Sequence, residues 1–256
     1  MRPLLLALAL LPWLAASPPA AADDPSQSGA ESVGKFLATE GKVSATLGAD
    51  TRSVVRGEAI YQGDWIETER KSRAKIELND ETELVVGPGS RLHIDEFVYN
   101  SSDDTGKVLL EMGVGLLRFS SGVLEPQSYE VKTPVASIGV RGTLFDLIVA
   151  SLTFATTVIL REGVIAITSF GGSQIVNQED NASTAPNSTD EPEAQRKVTK
   201  QEEDLVDPLK KPFKDELPSS ARPRNLPSNM QKPNIRPHQG SGSKPSNRPN
   251  IPSGRY

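Results

Sequence analysis

An all-β domain of about 140 residues is what this sequence predicts, and three observations predict it. Between positions 35 and 178 Val, Ile and Thr are frequent, and branched side chains suit a pleated surface better than a helix. Short apolar-rich runs there alternate with Gly, Asn, Asp and Pro, which is the spacing of short strands and turns. No stretch sustains apolar residues at i, i+3, i+4 and i+7, so no long amphipathic helix is expected in it.

The elements follow in order. Lys35–Ala38, Gly41–Leu47, Gly57–Tyr61 and Gly63–Thr68 open the domain. Arg73–Leu78 alternates cleanly, with Ala74, Ile76 and Leu78 on one face and Arg73, Lys75 and Glu77 on the other. Asn79-Asp80-Glu81 turns the chain into Thr82–Val86, and Arg91–Val98 and Lys107–Met112 alternate again. Leu116–Phe119, Tyr129–Lys132, Thr143–Val149, Thr156–Arg161 and Val164–Thr168 complete the set. Glu162-Gly163 is expected as a tight turn between the last two, because Gly takes positive φ without a Cβ clash. Two architectures fit: a twisted β-sandwich, or an irregular β-roll in which short strands stack as solenoid-like coils. The frequency of turns favours the roll.

Composition divides the chain. Hydrophobic residues are 36% of its 256 residues, below the share of a fully packed chain, so part of it is expected outside any core. Met1–Ala22 reads as a secretory signal peptide: Arg2, an apolar run from Leu4, and Ala20-Ala21-Ala22 before Asp23. Residues 23–34 read as a flexible leader and 35–178 as the β domain. Residues 179–256 read as a disordered Pro-rich tail, with no more than a transient short helix around Gln195–Leu209. Removing the residues after Asn181 is therefore expected to leave the core's stability nearly unchanged. From Lys210 onward ten Lys and Arg face two acids, a net +8, so the rest of the chain is −13 and the total −5. That cationic tail suits an anionic envelope surface. With so few aromatics for base stacking, no nucleic acid is expected. The mature chain is expected to be exported to the periplasm or cell envelope, with no transmembrane span.

The chemistry available is narrow. Cys is absent, which excludes disulfides, thiolate nucleophiles and thiolate metal sites. His93 and His238 alone cannot form a three-His metal site. The carboxylate pairs Asp64/Glu67, Asp80/Glu81, Asp95/Glu96 and Asp103/Asp104 are sequence neighbours, whereas hydrolysis of a glycosidic bond needs two acids across a cleft. They read as solvated turn residues. No catalytic residue, metal ligand or cofactor is assigned, and the chain is not read as an enzyme.

The most informative segment runs from Val131 to Phe145. Pro134 holds Thr133 extended, and Gly139 and Gly142 permit bends on either side of Val140-Arg141. Arg141 is therefore read either as an internal clamp between layers of the fold, paired because an unpaired buried charge is expensive, or as a ligand-facing side chain.

Several of these residues carry a family resemblance. Gly63-Asp64-Trp65-Ile66-Glu67-Thr68 resembles the G-D-x-I-x-T element of the FecR domain family. Ala74–Leu84 resembles its strand, D-G-[ST] turn and strand, with Glu81 in place of the usual Gly. Thr133-Pro134 through Arg141-Gly142-Thr143 and Phe145 resembles its T-P-x-A…V-R-G-T-x-F signature, and Glu162-Gly163-Val164 its later turn. The resemblance implies a β-rich protein-binding domain in a bacterial envelope, and supplies no catalytic residues. Regulators of this family also carry a cytoplasmic sigma-factor-holding region, which this sequence does not show. A partner in the envelope is therefore expected, as a scaffold or docking module or as a component that relays a stimulus to a separate membrane regulator.

Overall fold

The computed structural model describes residues 31–214. The expected signal peptide, most of the leader and the tail from residue 215 lie outside the described residues. Within them the chain forms one mixed sheet. Its first strands are β1 (Ser32–Glu40), β2 (Val43–Leu47), β3 (Asp50–Ser53), β4 (Ala59–Tyr61), β5 (Trp65–Thr68), β6 (Arg73–Leu78), β7 (Glu83–Val86) and β8 (Arg91–Asn100). Then come β9 (Thr105–Ser120), β10 (Tyr129–Lys132), β11 (Ser137–Val149), β12 (Thr156–Ser169), β13 (Gly172–Val176), β14 (Asn181–Ala185) and β15 (Arg196–Lys197), before α1 (Lys200–Lys210).

Three long strands fold this sheet into two layers, because each changes partners halfway. The first half of β9 pairs with β8 and, in parallel, with β10, and its second half pairs with β7 and β11. β11 pairs with β10 before Gly142 and with β9 after it. β12 pairs with β14 before Gly163 and with β13 after it. One layer therefore runs β4-β1-β6-β7-β9-β11-β12-β14-β15, and the other β3-β2-β5-β8-β9-β10-β11-β12-β13. This is the sandwich alternative, not a stack of coils. Phe36, Ile76, Leu117, Phe119 and Phe145 from the first layer share one buried cluster with Ile66, Leu92, Leu110, Ile138 and Ile165 from the second.

Glu162-Gly163 is not a hairpin turn, as expected from sequence, but a bend inside one strand. Gly163 has φ +87° and Gly142, opposite it, +58°. A Cβ on Gly163 would lie 2.1 Å from the Gly142 carbonyl oxygen, so the two strands turn the corner together only because the position is bare.

The folded body also extends past both expected boundaries. β1 begins at Ser32, inside the expected leader, and β14, β15 and α1 lie beyond residue 178. The helix is real because it is well capped and docked. Thr199 and Glu202 form a reciprocal capping box, with the Glu202 N–H donating to Thr199 Oγ1 (3.3 Å) and the Thr199 N–H to Glu202 Oε2 (2.8 Å). Val206 and Leu209 pack with Ile159, Ala182, Leu116 and Ile148 on the outer face of the first layer. At the end of the helix and just past it Arg73 donates to the carbonyls of Pro208 (2.8 Å), Lys211 (2.6 Å) and Pro212 (2.7 Å), and its guanidinium lies 4.1 Å from the Phe213 ring centre. Low apolar content hid this segment in the sequence, since a few buried side chains and many polar clamps hold it.

Those clamps depend on carboxylates. Arg196 holds the Glu202 carboxyl down to about 2, against the cost of burial and with help from Thr199. Arg161 lowers Glu203, and Arg73 lowers Glu40, which also accepts the Lys214 N–H (2.8 Å). A carboxyl whose pKa is depressed on folding contributes stability above its unfolded value, and that contribution is lost as pH falls towards the folded one. Between pH 4.5 and 2, amide exchange in residues 196–214 is expected to accelerate ahead of the central strands β6, β9 and β11. Simultaneous loss of protection everywhere would contradict this.

Candidate functional site

The sequence-flagged residues fall into two groups, internal clamps and an exposed groove. Asp64 belongs to the first. It is fully buried, not a solvated turn residue, and its carboxylate accepts from Arg52 Nη1 (2.8 Å), Arg52 Nη2 (2.5 Å) and the Tyr61 N–H (2.9 Å). Arg52 also donates to the Ala59 carbonyl (3.1 Å). β3 and β4 are edge strands of different layers, so Asp64 and Arg52 tie the layers together along one seam. Gly63, at φ +90°, makes the turn that aims Asp64 inward.

Asp80 is likewise buried. It accepts from the Thr82 hydroxyl (2.7 Å) and N–H (3.2 Å) and from the Tyr129 hydroxyl (2.9 Å). Burial and the Asp80 charge push the Tyr129 phenol up to about 12. Glu81 keeps a left-handed backbone at φ +67° where the resembled turn has Gly. The buried carboxylates are solvated by side chains that the fold itself supplies, because a bare buried charge would be too costly.

Thr133 locks the turn before β11. Its Oγ1 accepts the Ala136 N–H (3.0 Å) and the Thr156 hydroxyl (2.9 Å), and donates to the Ala136 carbonyl (3.0 Å); Pro134 is exposed at the turn's crest. Thr143 is buried at the corner, its N–H bonded to Ser121 Oγ (3.1 Å) and its hydroxyl without a partner among the described residues. Phe145 is fully buried and stacks on Phe119 at 5.2 Å. Gly142 and Gly163 form the corner.

Arg141 is not the internal clamp. It is exposed, and among the described residues it has no hydrogen-bond or ion-pair partner. It pairs in register with Val164, and Gly139 with Ala166, which in turn faces Ile175. Alternation places the neighbours Ile138 and Val140 inside the core, so Arg141 and Gly139 face outward. Together with Pro126 and Gln127 they line a groove of about 540 Å³.

The buried charged cluster, which lies between the first layer's outer face and α1, went unread in the sequence. Asp146 is fully buried and accepts from Arg118 Nε (2.7 Å), Arg118 Nη2 (2.9 Å) and Arg161 Nε (2.9 Å). Arg161 continues to Asp180 (2.7 Å) and, on α1, to Glu203 (2.6 Å). Burial works against the Arg161 charge, but these carboxylates raise its pKa above the ordinary value. A signal existed: Leu117-Arg118-Phe119, Phe145-Asp146-Leu147 and Leu160-Arg161 each insert one charge into an apolar run.

The outer face of the second layer also carries a row in register across nine strands: Thr51, Thr46, Trp65, His93, Glu111, Lys132, Ser137, Thr168 and Ser173. His93 stacks on Trp65 at 4.3 Å and contacts Glu111 at 3.2 Å, while Arg91 sits 4.1 Å from the same indole. Two groups cannot occupy the same space over one ring, so both Trp65 faces are covered. Among the described residues no three His, Asp or Glu side chains are grouped to hold a metal ion, and no helix is long and apolar enough to cross a membrane.

Two crystal structures, each described as a candidate anti-sigma factor from Parabacteroides distasonis, are similar at 17% and 16% identity with a TM-score of 0.43. Each match covers 54% of this chain and 61% of the other, so this chain spans less than two thirds of their length. No curated protein sequence matches. Residues 64–166 match the family model described as FecR protein, a span that opens at the Asp64 seam and includes the Gly142–Gly163 corner. Over residues 64–166 the chain is therefore similar to the FecR family.

Proposed function

We propose that this chain is an exported, non-catalytic docking module of the cell envelope that binds another envelope protein through the outer face of its second layer. The carrying observation is that the signature Arg141 faces outward, unpaired among the described residues, on an apolar groove. The fold uses its buried carboxylates for internal pairing, so the groups that could do acid–base chemistry are committed to structure. The sheet edges are poor docking sites. The Arg52–Asp64 clamp occupies the β3/β4 seam. At the other seam Gln174 of β13 bonds Glu191, and Ser183 and Thr184 of β14 bond Glu193. The face remains.

The similarity to the FecR family favours a regulatory setting for this docking, in which the bound protein is a membrane regulator receiving an envelope stimulus. Site-specific photocrosslinking in the native host tests the docking reading. A photoreactive residue at Thr168, exposed on the proposed face, is expected to capture one discrete protein, and one at Gln201, exposed on α1, is not. Capture from Gln201 alone, or from neither position, would sink the proposal.

A further inference from the structure

The Arg141 groove, taken as the docking surface proposed above, also specifies the chemistry of what it binds. Gly139 supplies the first observation. Its backbone is not left-handed, and a Cβ built there would meet nothing nearer than the Ala166 Cβ at 4.0 Å. Glycine weakens a strand interior, and here neither a turn nor a close approach requires it. By contrast the fold demands glycine at the Gly142–Gly163 corner. What Gly139 does provide is a bare floor between Ala166 and Glu130, and Glu130 is turned aside to the Ser137 hydroxyl.

Arg141 supplies the second. A guanidinium offers a rigid fork of donors that matches a carboxylate, and this one is exposed and without a partner among the described residues. Around it the floor is apolar: Val164, Ala166 and the half-exposed Ile175. Arg141 and Gly139 are two residues apart on one strand face, about 6.6 Å. An extended peptide lying on this face repeats its side chains at the same interval.

We propose that the groove takes an extended acidic–apolar segment of a partner protein, with an Asp or Glu forked onto Arg141 and an apolar side chain two residues away seated over Gly139 against Ala166 and Ile175. The cation at one end and the bare apolar floor at the other give the site both its charge preference and its register.

Panning a displayed library of ten-residue peptides on the full chain, then measuring fluorescence anisotropy of a labelled synthetic copy of the strongest binder, tests this. Enriched peptides are expected to carry an acid two residues from an apolar side chain. Arg141→Ala should weaken the labelled peptide about tenfold or more, with partial recovery in Arg141→Lys. Gly139→Val should abolish binding while the melting temperature stays equal or rises, which separates a filled groove from a damaged fold. Enrichment of peptides without acids, no enrichment, or binding indifferent to both substitutions would overturn the proposal. So would Arg141-dependent binding of phosphatidylglycerol vesicles with no acidic peptide enriched, which would assign the groove to a membrane. If crosslinks from Thr168 persist while acidic peptides fail, the docking role stands and only this ligand assignment falls.

Discussion

Asp146→Ala is expected to destabilise the domain by about 3–5 kcal/mol, the cost of stranding a buried charge partner. Asp146 is fully buried and lies between two arginines whose side chains are 20% and 12% exposed. Arg161 would keep Asp180 and Glu203, so most of the penalty falls on Arg118, which no other carboxylate is shown to hold. Asp146→Asn keeps the acceptor oxygen and loses the charge, so it should fall between the wild type and Ala. Pairing Asp146→Ala with Arg118→Met removes both charges, and the double variant should be more stable than Asp146→Ala alone. Chemical denaturation measures all three. A loss below about 1 kcal/mol for Asp146→Ala would show that water reaches the cluster freely.

Ending the chain after Glu179 carries the second large effect. Composition starts the tail at 179 and suggests that removing the residues after Asn181 costs almost nothing. The structure reverses this expectation. Such a truncation removes the β14 pairing on β12 from Thr156 to Ile159, the Asp180 and Glu203 partners of Arg161, and three carbonyl acceptors of Arg73. It also removes Val206, Leu209 and Phe213, all buried. At roughly 1.5–3 kcal/mol for each large apolar side chain, the loss rivals the whole stability of about 5–15 kcal/mol typical of a domain. The truncated chain is expected to lose its cooperative thermal transition, or to melt far below a chain ended after Glu216, which keeps every contact named. Equal melting of the two would refute the account of α1 as part of the folded body.

Local pattern explains what could be read early. Alternation through Arg73–Leu78 and Lys107–Met112 marked strands and their faces, because side chains on a pleated strand repeat every two residues. Leu116–Phe119 also read correctly as strand, yet it is the second half of β9, joined to Lys107–Met112 through the bend at Gly113-Val114-Gly115. A glycine that permits a bend looks the same in sequence as one that permits a hairpin. The difference lies in whether the following residues pair with the preceding ones or with strands of another layer.

The amino-acid sequence by itself determined the β class, the strand faces, the resemblance around Asp64 and Thr133–Phe145, and the places where glycine allows the backbone to turn. Only the tertiary structure decided that Asp64 and Asp80 are buried, that α1 covers one outer face and that Arg141 stands on the other. The reason is that period two assigns a residue to a face but not to an environment. Burial of that face depends on which distant segment lies against it, and for the outer face carrying Asp146 that segment is a helix more than fifty residues away whose own composition is polar.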